Sequence, residues 1–88
     1  MNDLRRIMHI EDDPSIQDVA RVALEIVGKF EVCTCSSGQE ALLRFAGFDP
    51  QLVLLDVMMP GMDGPTTLKQ LQQQFDLSKV PVVFMTAK

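Results

Sequence analysis

The sequence contains no tryptophan and no tyrosine, only two cysteines, and no cluster of lysines or arginines. Each absence removes a class of function. Without Trp or Tyr, no such ring is available to stack on a flavin. Eight bases scattered among twelve acids leave a net charge of −4, which argues against a sequence-independent grip on DNA or RNA. The opening "MNDLRRIMHIEDD" carries two arginines, but its apolar stretch is too short for a signal peptide or a membrane span before the acids begin. A cytoplasmic setting without direct membrane or nucleic-acid contact is therefore expected. No linker, repeat or low-complexity tract interrupts residues 1–88, and 47% of them are hydrophobic, so the chain reads as a single globular domain. A chain this short buries only about 60% of its unfolded surface and has little stability in reserve. Cys33 and Cys35 in "VCTC" are two apart, so on a strand they share one face and suit reduced, structural thiols. A C-x-C zinc or redox site is the sharper reading, but it lacks a second ligand pair.

What is present alternates between two periodicities. "RIMHI", Arg6 to Ile10, is an apolar run of strand length that stops at the acids "EDD". Asp13 can cap the helix that follows, with Pro14 in its first position. Ile16, Val19, Ala20, Ala23, Ile26 and Val27 recur at helical spacing as its apolar face, and Gly28 ends it. "FEVCTC", Phe30 to Cys35, predicts a second strand. Ser37 and Glu40 stand at capping-box spacing before Ala41, Leu42 and Phe45, and Gly47 is expected to stop this second helix. "LVLLD" is a continuous apolar run of the kind found in parallel sheets covered on both faces. Gly64 and Pro65 open a third helix with Leu68, Leu71 and Phe75 on one side, and "VPVVFM", Val80 to Met85, predicts a fourth strand. Pro81 is tolerable at its start.

Strands alternating with helices imply parallel pairing through right-handed crossovers, in one layered α/β domain. Functional groups in such sheets gather at the carboxyl ends of the strands, where the winding direction reverses. Glu11 and Asp12 follow the first strand, and Asp56 closes the third. If those strands are neighbours, a spacing of about 4.8 Å brings the three carboxylates together. Like charges this close repel, and a cation resolves the conflict. Oxygen ligands with room for water favour Mg²⁺ or Mn²⁺ over zinc. Asp13 is read as a helix cap. His9, inside the first strand, is read as a satisfied core or edge histidine and not as a phosphodonor.

The acidic pair after the first strand, the string "DVMMPGMDG" that begins at Asp56, and "MTA" after the fourth apolar run together resemble the receiver domain of two-component response regulators. The resemblance spans Arg6 to Lys88. It implies a flavodoxin-like doubly wound parallel sheet, the (βα)5 fold with strand order 2-1-3-4-5; that order comes from the family and not from the residues. It also implies that Asp56 is the phosphoacceptor, attacking a phosphoryl group supplied by a histidine kinase or phosphotransfer protein to give an aspartyl phosphate. By the same resemblance Asp12 is a direct Mg²⁺ ligand, Glu11 a ligand through water, and Met58 a contributor through its backbone carbonyl. Thr86 resembles the switch hydroxyl that hydrogen-bonds a phosphoryl oxygen. Such a chain catalyses at most its own phosphorylation and dephosphorylation. After Asp56 the chain must leave the sheet and turn into a helix, and Pro60, Gly61 and Gly64 are expected to supply the fixed and permissive backbone angles. Met58, Met59 and Met62 are expected to pack this loop.

Receivers continue past "TA" with a fourth helix, a fifth strand ending in a lysine, an aromatic switch residue and a fifth helix. These are absent here, and Lys88 does not match the lysine's position. The expectation is thus a receiver cut short, its fourth strand left as an edge through which two copies associate. The rival reading is a fragment that folds or dimerises but no longer signals. A haloacid-dehalogenase-type phosphatase would need a second acid where this chain has Met58. A flavodoxin-like electron carrier would need Ser, Thr and Gly donors where it has "EDD". An EF-hand loop would need oxygen ligands at positions of "DVMMPGMDG" that lack them.

Overall fold

A computed structural model of the chain describes residues 3–86. The elements follow in the order β1 (Arg6–Ile10), α1 (Pro14–Arg21, continued by a π-helical segment Val22–Val27), β2 (Glu31–Cys35), α2 (Gly38–Phe48), β3 (Leu52–Asp56), α3 (Gly64–Gln74) and β4 (Val82–Met85). The central runs "RIMHI" and "LVLLD" became strands because each supplies consecutive side chains to a sheet covered on both faces. All neighbours pair parallel, in the order β2-β1-β3-β4. The register aligns Ile10 with Cys35 on one side and with Leu55 on the other, and aligns Asp56 with Met85.

This order fixes where the helices go. From β1 the chain steps one way to β2; from β2 to β3 and from β3 to β4 it steps the other way. With right-handed crossovers, a reversal of direction puts the connecting helix on the opposite face. Thus α2 and α3 share one face and α1 covers the other. On the α2/α3 face Met8, Ile10, Cys33, Cys35, Val53 and Leu55 are buried against Ala41, Phe45 and Leu71. Phe45 stacks on Phe75 with ring centroids 4.5 Å apart. Gly38 lets the two helices approach, since a Cβ there would lie 2.2 Å from the Thr67 hydroxyl.

The helix starts follow their caps. Asp13 accepts hydrogen bonds from the Ser15 and Ile16 amides, Ser37 from that of Glu40, and Asp63 from that of Thr66. Glu40 completes only half of the expected capping box, because its carboxylate takes the Ser36 amide and not that of Ser37. Gly47 does not stop α2. The helix runs through it to Phe48, and Asp49 makes the left-handed turn instead at φ 56°; aspartate is among the few residues that tolerate this conformation. At the end of the first helix Gly28 keeps right-handed angles and Lys29 takes the positive φ, 60°. Strands two and four begin at Glu31 and Val82, later than Phe30 and Val80.

The larger departure concerns α1. Its apolar spacing predicts a buried face, yet Val19, Ile26 and Val27 are 72, 69 and 79% exposed, and no residue of the helix is fully buried. Among its apolar residues only the inner stripe through Ile16, Ala20 and Leu24 is partly covered. A helix lying on a sheet buries the narrow strip that touches it. The flanks need a helix alongside, as α2 and α3 provide for each other, and among the described residues α1 has none. β4 likewise ends the described sheet, with Val83 and Phe84 exposed.

Candidate functional site

The winding reverses between β1 and β3, so the loops after these two strands diverge and leave a crevice at their carboxyl ends. Asp56 occupies the last position of β3, and Glu11 and Asp12 follow directly on β1. Carboxylate oxygens of Glu11, Asp12 and Asp56 lie within 4.8 Å of one another. The Glu11 and Asp56 residues are only 1% and 3% exposed. Three carboxylates so placed repel unless a positive charge sits among them. The donor set is all oxygen, and Asp12 keeps one side open to solvent, the arrangement in which Mg²⁺ keeps several waters.

The Glu11–Asp13 turn is held from several directions. The Glu11 amide continues the sheet by donating to the Cys35 carbonyl at 2.9 Å, and its carboxylate accepts from the Asp13 amide at 3.0 Å. The Glu11 carbonyl accepts from the side-chain amide of Gln17, which also reaches the Ser36 hydroxyl at 3.3 Å. On the other strand the Asp56 carboxylate accepts from the Met58 amide at 3.3 Å, and the Val57 amide donates to the Met85 carbonyl. Gly64 closes the loop: its amide donates to the Val57 carbonyl at 2.9 Å. A Cβ at Gly64 would lie 2.4 Å from the Asp56 carbonyl oxygen.

These contacts revise the reading of the loop. Gly61 does take a positive φ, 77°, as expected. Gly64 does not; its requirement is space against the end of β3. Met59 is buried in the core and Met62 lies against Gly38, whereas the Met58 side chain is exposed. Beside the acids, an open depression of about 630 Å³ is lined by Asp12, Val57, Met58, Met59 and Asp63, among others.

Thr86 stands one residue past Met85, the partner of Asp56, and is exposed. It lies at the same end of the sheet as the acids. Lys88 and Ala87 of the "MTAK" ending lie outside the described residues. His9 is buried, but its two ring nitrogens find no hydrogen-bond partner among the described residues, against the expectation of a satisfied histidine. Burial pushes its pKa below the ordinary value, opposed by the nearby negative charge of Asp56. Gln17 was missed by sequence reasoning. The available signal was a polar side chain on the first turns of α1, between the half-buried Ile16 and Ala20.

Comparison with known proteins agrees with this arrangement. Residues 7–88 match the response regulator receiver domain family. The chain is 41% identical over 86 residues to the probable transcriptional regulator ycf27 of Pyropia yezoensis, covering 98% of this chain and 34% of that protein. It is 37% identical over 84 residues to the DNA-binding response regulator MtrA of Mycolicibacterium smegmatis, covering 96% and 35%. The chain thus spans about a third of the length of these curated relatives. Among solved structures it resembles the chemotaxis protein CheY4 of Vibrio cholerae, with TM-score 0.88, 26% identity, and coverage of 98% of this chain and 71% of that one. It also resembles the response regulator TrrA of Thermotoga maritima in complex with Mg²⁺-BeF, with TM-score 0.81, 29% identity, and coverage of 97% and 71%. A parallel sheet in the order β2-β1-β3-β4, acids at its switch point and these matches lead to one conclusion: the chain belongs to the response regulator receiver domain family of two-component signalling.

Proposed function

We propose that the chain acts as one phosphoacceptor unit, in the cytoplasm, taking a phosphoryl group onto Asp56 from a histidine kinase or phosphotransfer protein. A carboxylate oxygen of Asp56 forms the new P–O bond as the donor's P–N bond breaks, and that electron pair returns to the imidazole nitrogen. The observation that carries this reading is the Asp56 carboxylate, almost wholly buried at the end of a central strand yet within 4.8 Å of the Glu11 and Asp12 carboxylates.

The donor set fits Mg²⁺, or Mn²⁺ in its place, which would be held by Asp12 and Asp56 directly, by Glu11 through water and by the Met58 backbone carbonyl. Bound there, the cation offsets negative charge as the anionic donor approaches. The protein's own part is positioning: the Met58 amide orients Asp56, and the Asp13 amide holds Glu11. Thr86, at the end of β4, is assigned the switch hydroxyl that answers phosphorylation. The chain is not a turnover enzyme in this reading; it promotes at most its own phosphorylation and dephosphorylation.

A second reading is favoured by the place of β4 at the end of the sheet among the described residues and by its exposed Val83 and Phe84. In it the chain folds and associates with a second copy through that edge without signalling. The deciding experiment is the intact mass of the chain after incubation with Mg²⁺ and acetyl phosphate, alongside Asp56→Asn. A labile phosphoryl adduct confined to the wild type is expected. No adduct, with Mg²⁺ still bound, leaves the second reading in place of the first.

A further inference from the structure

We propose that Gln17 is a positioning residue for the cation site, acting through the Glu11 carbonyl; the inference rests on the metal reading given above. A peptide carbonyl can only accept, so the Gln17 side chain must present its N–H to Glu11, and its orientation is settled by chemistry. The same amide nitrogen lies 3.3 Å from the Ser36 hydroxyl, at the start of the loop before α2. Gln17 is therefore a brace between two strand-end loops, reaching from the helix that lies across them.

What the brace holds matters more than the bonds themselves. The Glu11 amide is fixed by the Cys35 carbonyl and its carboxylate by the Asp13 amide. With the Glu11 carbonyl also held, the peptide plane joining Glu11 to Asp12 cannot rotate freely, and the Asp12 carboxylate starts from a defined backbone. Partners one step behind a metal ligand commonly change affinity by tenfold or more when removed. Gln17 does this from outside the acidic turn, with no charge of its own.

The test uses Gln17→Met, which fills similar volume but cannot donate. Mg²⁺ affinity is measured by titration calorimetry well below Tm, where wild type and variant are both folded. A brace predicts a Kd for Mg²⁺ roughly tenfold weaker in the variant. A residue that merely stabilises the fold would lower Tm and leave Kd unchanged, and that result overturns the proposal. Should Gln17→Met fail to fold, the wild-type chain still decides. The Gln17 side-chain amide protons should exchange with solvent more slowly than those of exposed Gln73, and more slowly again with Mg²⁺ bound. Equal exchange at the two glutamines contradicts the proposal. A wild type that binds no Mg²⁺ removes the metal reading and this inference together, whereas wild-type binding with an unchanged variant removes only the inference.

Discussion

Asp12 and Asp56 face one another across the crevice, but only Asp12 retains open contact with solvent and the depression beside it. Removing its carboxylate takes away one of the proposed charged ligands without disturbing the sheet. Asp12→Ala is expected to weaken Mg²⁺ binding by at least about tenfold, read by calorimetry, and an unchanged affinity would remove Asp12 from the ligand set. His9 presents the opposite case, a polar group the fold uses for nothing visible. Its ring is buried with both nitrogens unpaired among the described residues, and an unsatisfied buried polar group costs about 1–3 kcal/mol. His9→Leu should accordingly raise stability by about 1 kcal/mol, or roughly 5 °C in Tm for a domain of this size. The pH dependence has a definite sign. Burial lowers the folded-state pKa of His9 below 6.5, so the unfolded chain takes up the proton first on acidification. Stability from this residue is present above pH 6.5 and declines as the pH falls below it. The His9→Leu chain, compared by thermal melting at several pH values, should lose that part of the decline.

At the scale of elements, the join between β3 and α3 is the tightest constraint on the site. Gly64 starts α3 directly against the Asp56 carbonyl, where a Cβ would meet backbone atoms at 2.4 and 2.9 Å. Backbone cannot swing aside as a flexible side chain can, so Gly64→Ala must displace either the helix or the end of the strand. We expect a loss of about 2 kcal/mol in denaturant unfolding, within the range for overpacked sites. Phosphorylation of the folded remainder should also be impaired; a fully active, equally stable variant would show that the join is more compliant than its geometry suggests. The same join illustrates what a sequence can and cannot disclose. That a helix begins at Gly64 and Pro65 was legible, as were the parallel strands from "RIMHI" and "LVLLD", and the acids at their ends, because periodicity and caps are local. That Gly64 serves for space and not for its backbone angles was illegible, because the atom it avoids becomes its neighbour only after folding. Gly47 misled for a related reason: Asp49 competes for the left-handed turn and wins two residues later. Gln17 was hidden because its partner is a carbonyl, which no residue type marks.

Across the whole molecule, the two faces of the sheet are unequally covered. One carries two helices packed on each other and most of the buried core, and the other carries α1 with its outer apolar flank open. β4 adds an edge with one side free of pairing among the described residues. Exposed apolar area and an open edge both favour contact between chains. Under the second reading of function, the mass in solution should rise with concentration, and Val83→Lys, placing a charge on that edge strand, should suppress the rise. A mass of one chain at high concentration would dispose of that reading.

The acidic turn belongs to the seam between these faces. Its Glu11 end is an extension of β1, and its Asp13 end is the cap of α1. An ion held by the turn would thus clamp the lightly packed helix to the heavily packed sheet. Because whatever binds only the closed form also favours it, magnesium bound as proposed would add to the stability of α1 together with that of the β3 end that supplies Asp56. The helix would peel from the sheet first when the ion is withdrawn, while α2 and α3 remain in place.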